Sequence, residues 1–133
     1  MGGLASYHIS SMHPDWFKGA ILMAPALKNQ VGGFLVGMSK FLHKILPEHT
    51  KLTGPVYGKA SKNPAITDFV KADKYAYKGR VNLSTTTFLT KTMDTSPDTF
   101  KHYRCPFLVI QGGLDKLVHP MVAFDLFTQS PLP

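Results

Sequence analysis

Residues 105–120 read Cys-Pro-Phe-Leu-Val-Ile-Gln-Gly-Gly-Leu-Asp-Lys-Leu-Val-His-Pro, and they carry the clearest indication of the fold. The apolar run at positions 107–110 follows a proline and is closed by two glycines. Such a run predicts a strand buried on both faces, as in a parallel sheet with helices on each side. The glycine turn leaves Asp115 at the carboxyl end of this strand. In open α/β sheets, ligands and catalytic groups collect at that edge.

A helix and a second strand are predicted near the beginning of the sequence. Residues 1–13 place Leu4, Tyr7 and Ser11 at helical spacing, and Pro14 closes the segment. Residues 20–24, Ala-Ile-Leu-Met-Ala, predict a second buried strand that is stopped by Pro25. A helix joined to a strand by a short link is half of a βαβ unit. The chain is therefore assigned to the α/β class, with a parallel sheet and flanking helices.

A long, mostly helical insertion separates the two predicted strands. Residues 33–46 carry an amphipathic helical pattern that ends at Pro47. Further helices are predicted over residues 63–70, 83–93 and 121–128, with a short helical turn at 96–98. Pro120 stands where a first-turn proline of the last helix belongs. The expected organisation is a core segment at 1–27, a helical cap at 28–100 and a second core segment at 101–133.

The composition is that of one globular domain with a basic surface. The 133 residues are 44% hydrophobic and 17% charged, which allows a core and excludes a disordered chain. Residues 40–80 hold nine Lys and Arg against three acids, so they carry +6 of the net charge of +7. Such a patch suits anionic lipid, nucleic acid or plain solvation. Solvation is favoured because no nucleic-acid-binding motif accompanies the lysines, and nucleic acid is not an expected partner.

No targeting or membrane-spanning segment is recognisable in the sequence. No apolar run reaches the roughly 18 residues that span a bilayer. The first residues lack the charged and apolar regions of a secretory signal. The single Cys105 excludes an internal disulfide and a cysteine-based zinc site. A cytoplasmic protein is expected, and contact of the basic segment with a membrane surface is the one membrane association considered.

The order of these elements resembles the second half of an α/β-hydrolase, in the branch of monoacylglycerol lipase-like proteins and serine aminopeptidases of the S33 (hydrolase_4) type. Met1-Gly-Gly resembles the end of that family's Gly-His-Ser-Met-Gly-Gly nucleophile elbow. The strand ending in Ala-Pro, the insertion with Asp-Lys-Tyr-Ala-Tyr-Lys-Gly-Arg at 73–80, and the strand followed by Gly-Gly-Leu-Asp complete the resemblance. It covers nearly the whole chain and implies a partial α/β-hydrolase, an incomplete parallel sheet with a helical cap.

The resemblance implies a role for several residues. Met1 would offer its backbone N–H to the oxyanion hole, and Gly2 and Gly3 would allow close packing at the elbow. Asp115 would be the acid of a Ser–His–Asp triad. The substrate would be a lipid or a small ester, with no cofactor and no metal. Its acyl chain would be bordered by the apolar helix of the cap, at positions that also suit an ordinary core: Phe34, Leu35, Met38, Phe41 and Leu42.

Only one member of the triad falls within the chain. By resemblance, the nucleophile would stand immediately before Met1 and the histidine on a loop beyond Pro133, which leaves Asp115. The chain is therefore expected to be a fragment of a serine hydrolase that cleaves carboxylic esters, inactive alone as written. The alternative is a non-catalytic short protein, a half-hydrolase that binds a partner or dimerises.

Other candidate nucleophiles and bases have ordinary structural explanations. Ser6, Ser10 and Ser11 would face the sides of the first helix. His119 lies four residues after Asp115, which favours a loop contact over a triad pair. Cys105 precedes a proline and has no paired histidine motif, which favours a partly buried structural thiol.

Overall fold

The computed structural model describes residues 1–29 and 63–131, together with Phe41, Pro47, Thr50 and Ser61. The chain divides into two compact units, of which the first comprises Met1–Gln30 and Lys91–Pro133 and the second is Val31–Thr90. The amphipathic helix predicted over residues 33–46 lies outside the described residues, apart from Phe41.

Helices and strands follow one another along the chain in the order expected from the sequence. They are α1 (Gly2–Met12), a 3₁₀ turn (Pro14–Trp16), β1 (Ala20–Met23), α2 (Pro64–Ala72), α3 (Leu83–Thr95), a 3₁₀-helix (Ser96–His102), β2 (Phe107–Ile110) and α4 (Val122–Gln129). Both predicted strands are confirmed, as are the first helix and the helices predicted over residues 63–70 and 83–93. The helical turn predicted at 96–98 is the beginning of the 3₁₀-helix.

The two strands pair side by side and run in the same direction. Their register runs from Ala20 opposite Phe107 to Met23 opposite Ile110. The ladder continues past β1 because the Ala24 N–H donates to the Ile110 carbonyl at 2.8 Å. A parallel pair needs a long crossover connection, and here the connection contains the whole second unit. The α/β class with a parallel sheet and flanking helices is confirmed.

One face of this sheet is buried and the other is open, which corrects the prediction of strands buried on both faces. Leu22 is 1% exposed, on the face against which α1 packs. On the opposite face, Ile21 and Met23 are 69% and 70% exposed, and Leu108 and Ile110 are 55% and 49% exposed. Alternate residues of a strand point to opposite faces, so a continuous apolar run does not by itself show that both faces are covered.

The ends of two elements also differ from the sequence prediction. β1 stops at Met23 because Ala24 adopts a left-handed backbone with φ of 43°, which breaks the extended conformation. α4 begins at Val122, one residue later than predicted. The Val122 N–H donates to the His119 carbonyl at 3.0 Å, so a turn precedes the helix. Pro120 therefore lies in that turn and is not in the first turn of α4.

An aromatic cluster forms the core of the first unit. Tyr7 of α1, Phe100 of the 3₁₀-helix and Tyr103 are completely buried. The rings of Tyr7 and Tyr103 stack with centroids 4.8 Å apart, and Phe100 meets Tyr7 edge-on at 5.8 Å. These contacts fasten α1 to the segment that leads into β2. Burial of several aromatic rings is among the largest favourable contributions available to so small a core.

Each buried tyrosine hydroxyl in this cluster has a hydrogen-bond partner. Tyr7 Oη lies 2.7 Å from Thr99 Oγ1, and Tyr103 Oη lies 2.7 Å from Ser10 Oγ. The Ser10 and Thr99 hydroxyls already donate to backbone carbonyls one turn earlier, both at 2.7 Å. The tyrosines are therefore the donors. Burial raises the pKa of Tyr103 to about 12, so its hydroxyl keeps its proton throughout the physiological range.

The second unit contains α2 and the loop that follows it. α2 begins at Asn63, whose Oδ1 accepts the Ala65 N–H at 3.0 Å, and Pro64 occupies its first turn. None of the nine residues of α2 is buried. In the described parts of both units, no helix is long and apolar enough to cross a membrane.

The hydrogen bond between Ser10 and Tyr103 predicts an asymmetric pair of substitutions. Ser10→Ala leaves a buried tyrosine donor without an acceptor and should lower the free energy of unfolding by about 1–3 kcal/mol. Tyr103→Phe removes the donor itself and should lower it by about 1 kcal/mol, because Ser10 keeps its backbone acceptor. Urea denaturation monitored by circular dichroism measures both.

The double variant should be less destabilised than the sum of the two single variants, since the two side chains share one interaction. Ser11→Ala, on the partly exposed side of α1, is the matched control and should change the free energy of unfolding by less than about 0.5 kcal/mol. Strict additivity of Ser10→Ala and Tyr103→Phe would contradict the assignment.

Candidate active site

The carboxyl edge of the sheet brings together three parts of the first unit. Asp115 follows β2, Pro25 follows β1, and the first turn of α1 packs beside Pro25. A Cβ atom built on Gly3 would lie 3.0 Å from Pro25 Cα, so only glycine fits without a shift of the backbone. The amino terminus of α1 and the acidic turn are thus held at one edge of the sheet. In this class of sheet, catalytic groups collect there.

The two glycines of the expected elbow differ in their surroundings. Close packing was expected at both, and it is found at Gly3. A Cβ atom on Gly2 would meet no heavy atom of its described surroundings within 4 Å. Met1 precedes α1 as its N-cap residue, and its carbonyl accepts the Ala5 N–H at 3.1 Å. As at the start of any α-helix, the backbone N–H groups of the first turn have no carbonyl four residues earlier in the helix to donate to.

The Asp115 carboxylate is fixed by hydrogen bonds to both of its oxygens. Oδ1 accepts the backbone N–H groups of Leu117 and Val118, at 2.7 and 3.0 Å. Oδ2 accepts the side-chain amide of Gln111 at 3.0 Å. The side chain thus folds back over its own turn, and the two oxygens have different environments. One oxygen caps the turn, while the other lies next to a side chain from the end of β2.

These donors set the charge of Asp115. Partial burial pushes the pKa of the carboxyl upward, but the N–H groups of Val118 and Leu117 and the Gln111 amide together outweigh it and hold the pKa below its ordinary value. The carboxylate is therefore ionised at neutral pH. An ionised acid held in one orientation is what a triad requires of the residue that orients a histidine.

Gln111 is a site residue that the sequence reasoning missed. Its Nε2 donates to Asp115, while its Oε1 is buried and has no hydrogen-bond partner among the described residues. A buried amide oxygen without a donor is unusual, because burial removes its water partners as well. The signal in the sequence was a lone polar residue between an apolar strand and a glycine pair.

The acidic turn is tied to the segment that follows β1. The His119 N–H donates to the Lys28 carbonyl at 3.5 Å, and Asn29 and Val118 form an antiparallel bridge. Lys28 Nζ lies 2.7 Å from Asp125 Oδ2 of α4, and both side chains are partly exposed. The backbone contacts of His119 with Lys28 and of Val118 with Asn29 limit the movement of residues 115–119 relative to the sheet. They were not predictable from spacing, since the partners lie at opposite ends of the chain.

His119 does not donate to Asp115 through Nδ1, as the histidine of a triad would. Its Nδ1 accepts the Met121 N–H at 3.3 Å, so that nitrogen cannot also donate a proton to a carboxylate. Ser10 of α1 is unsuited as a nucleophile, because it is buried in the tyrosine cluster. Cys105 is completely buried and donates to the Pro106 carbonyl at 3.5 Å, in agreement with a structural thiol.

One serine–histidine contact has the dimensions of a nucleophile and its base. His8 Nε2 lies 3.1 Å from Ser96 Oγ. Ser96 is completely buried, however, and its hydroxyl donates to the Thr92 carbonyl at 2.7 Å. A hydroxyl that is buried and already donating cannot attack a substrate, so this contact is structural. Burial lowers the pKa of His8, which keeps the ring neutral.

The residues proposed for the acyl pocket are mostly outside the described part of the chain. Phe34, Leu35, Met38 and Leu42 lie there, while Phe41 is described and is 64% exposed. A groove of about 360 Å³ on the first unit runs between β2 and α4, and its lining does not include the acidic turn. In the described ranges, no group of three or more His, Cys, Asp or Glu residues could hold a metal ion.

The fold is that of an α/β-hydrolase, as a comparison with solved structures shows. The monoacylglycerol lipase of Paleococcus ferrophilus superposes with a TM-score of 0.80 at 22% sequence identity. The match covers 98% of this chain and 51% of that lipase, so the chain spans about half of the lipase's length.

The family model described as Hydrolase_4, serine aminopeptidase, S33, matches residues 1–132. The chain therefore belongs to this family of serine hydrolases. No curated protein sequence matches it. The expected resemblance is confirmed at the level of family and fold.

The environment of Asp115 predicts how its charge responds to substitution. Gln111→Leu removes one donor from the carboxylate, so the pKa of Asp115 should rise toward its ordinary value. Carbon-detected NMR titration of the carboxyl resonance measures this change.

Because the pKa of the folded state is depressed, Asp115 stabilises the fold above about pH 4. That stabilisation is lost as the pH falls through the depressed value.

Gln129→Leu makes the same substitution at an exposed position of α4 and should leave the titration of the Asp115 carboxyl unchanged. An unaltered pKa in the Gln111→Leu protein, with an unaltered circular dichroism spectrum, would show that the Gln111 amide does not act on Asp115.

Proposed function

We propose that this chain supplies the acid residue of a serine hydrolase that cleaves carboxylic esters of lipid type, monoacylglycerols among them. Membership of the S33 family supports the serine-hydrolase class. The observation that carries the proposal is the ionised, doubly anchored carboxylate of Asp115 at the carboxyl edge of the sheet. The serine and the histidine would lie outside residues 1–133, and these residues alone would be inactive.

In this mechanism Asp115 acts through a histidine. Its carboxylate accepts the Nδ1–H of the imidazole, which leaves Nε2 free to take the proton of the serine hydroxyl as the serine attacks the ester carbonyl. The negative charge then offsets the positive charge on the imidazolium. Oδ1 accepts two backbone N–H groups and Oδ2 accepts one side-chain amide, so the histidine would share Oδ2 with Gln111.

The start of α1 would stabilise the oxyanion. The backbone nitrogen of Met1 would donate to the developing negative charge, and the free N–H groups of the first helical turn add a favourable dipole. The contact of Gly3 with Pro25 holds that turn at the same edge of the sheet as Asp115. Residues 28–100 would act as the cap, and the apolar helix expected at 33–46 would border the acyl chain of a lipid or small ester.

A second candidate function rests on the open face of the sheet. Ile21, Met23, Leu108 and Ile110 leave a row of exposed apolar side chains across both strands. A non-catalytic half-hydrolase would cover this face by binding a partner or by dimerising. Apolar patches of this kind are a common feature of protein interfaces.

The catalytic proposal is tested in the product of the complete reading frame that contains these residues. Asp115→Asn keeps the size of the side chain but removes its charge, so a histidine would be held in the wrong tautomer. We expect kcat for monoacylglycerol hydrolysis to fall by about 10⁴, with a much smaller change in KM. Asp98→Asn, an exposed aspartate of the same unit, is the matched control and should keep full activity.

The isolated residues 1–133 should not react with a fluorophosphonate probe, since they supply no serine with a base. Labelling of a serine within them, or full activity of Asp115→Asn, would contradict the proposal.

The alternative function predicts self-association or complex formation through the sheet face. Sedimentation velocity should then show a concentration-dependent dimer, and Ile21→Lys should convert it to monomer by placing a charge in the interface. Met12→Lys, at an exposed position of α1 on the other side of the sheet, is the control and should leave the dimer intact. A monomer at all concentrations, with no partner dependent on Ile21, would exclude this role.

A further inference from the structure

The loop after α2 exposes aromatic rings that a folded chain usually buries. Phe69, Tyr75 and Tyr77 are 73%, 83% and 70% exposed, within a stretch of nine residues. Ile66 is 50% exposed, and α2 buries none of its side chains. At 100° per residue, Ile66 and Phe69 lie on one side of α2. Residues 63–80, called the docking face below, therefore present an apolar surface to solvent.

Cationic side chains accompany these rings. Lys74, Lys78 and Arg80 are exposed, and Lys74 Nζ lies 4.9 Å from the centre of the Tyr75 ring. On the opposite side of α2 from Phe69, Lys71 is paired with Asp68 at 3.2 Å. The helix thus has one apolar side and one neutralised polar side, and the positive charge is concentrated in the loop.

The loop is held in a defined conformation. Tyr77 Oη donates to the Arg80 carbonyl at 3.0 Å, and the Asp73 carboxylate accepts the Tyr75 N–H at 2.9 Å. A Cβ atom on Gly79 would collide with the Tyr77 ring, so this turn is shaped around that ring. Aromatic rings held outward by hydrogen bonds have less conformational freedom to lose on binding.

We propose that the docking face binds the interface of a membrane containing anionic phospholipid. Phe69 and Ile66 would enter the boundary between headgroups and acyl chains, and Tyr75 would lie at the headgroup level, with its ring in the apolar zone and its hydroxyl in water. Lys74, Lys78 and Arg80 would contact the lipid phosphates.

Charge and shape favour a lipid surface over other partners. A protein partner would bury the rings in a matching pocket and would not need several cations beside them. Single-stranded nucleic acid also uses aromatic rings and cations, but it stacks its bases on ring faces. Here the Tyr77 ring covers Gly79 and Lys74 lies over the Tyr75 ring, which leaves less ring face open for stacking. The proposal is independent of Asp115 and goes beyond the catalytic function.

The experiment measures partitioning of the chain onto vesicles by flotation. Vesicles of equal parts phosphatidylcholine and phosphatidylglycerol should bind the protein, and phosphatidylcholine vesicles should bind it weakly. Each lysine near an anionic surface contributes about 1 kcal/mol, so K74E/K78E should lower the partition constant at least about 25-fold. Phe69→Ser should lower it roughly tenfold by removing one buried ring. Binding should weaken in high salt, which screens charge.

Two control variants show whether vesicle binding depends on where the lysines and the aromatic ring lie or only on their number. K18E/K101E changes the net charge by the same amount through exposed lysines of the first unit, and Trp16→Ser removes an aromatic ring that is 71% exposed there. Both should bind like the unaltered protein. Circular dichroism checks that every variant is folded.

The proposal would be overturned by equal losses in K18E/K101E and K74E/K78E, by equal binding to both kinds of vesicle, or by no vesicle binding. Preferential binding of a single-stranded oligonucleotide through Phe69 and Lys74 would overturn it in favour of a nucleic-acid surface. Hydrolase activity is not part of this measurement, so failure here leaves the catalytic proposal standing.

Discussion

The parallel pairing of β1 with β2 is the constraint on which the rest of the structure depends. The strands come from opposite ends of the chain, and their register sets Met23 beside Ile110. Because both strands run the same way, everything that follows them is delivered to one edge of the sheet. Asp115 follows β2 to that edge, the close approach of Gly3 to Pro25 places the first turn of α1 at the same edge, and the antiparallel bridge between Asn29 and Val118 extends the arrangement beyond the strands. The crossover connection that this pairing requires contains the second unit, so the docking face at residues 63–80 lies within that connection.

The tyrosine cluster holds α1 in place against this sheet. Tyr7 and Tyr103 combine ring stacking with hydroxyl groups that each find an acceptor, so the core gains aromatic burial without leaving polar atoms unpaired. The position of α1 matters because its first turn is the proposed oxyanion site. A weakened cluster would therefore affect the site indirectly, through the direction of the helix. Buried polar contacts of this kind also account for the one serine–histidine pair, at His8 and Ser96, which is structural.

Chemistry and membrane contact are proposed for different units of the chain. The acid site uses a carboxylate kept ionised by backbone and side-chain donors. The docking face uses exposed rings and cations and has no titratable group in a catalytic role. Such a division would suit the proposed hydrolysis of lipid-type esters, because that substrate would reside in the surface that the docking face is proposed to bind.

The sequence by itself determined the identity and order of the described elements, the family and the position of Asp115 after β2. Apolar runs, proline stops and glycine turns are local signals, and local signals are sufficient for strands such as Phe107–Ile110. Only the tertiary structure decided that Leu108 and Ile110 face solvent, that Gly3 but not Gly2 is tightly packed, and that Gln111 holds the carboxylate. Each of these depends on which distant residue comes to lie alongside. Burial and hydrogen bonding are properties of pairs of segments, and a single segment of sequence does not contain its partner.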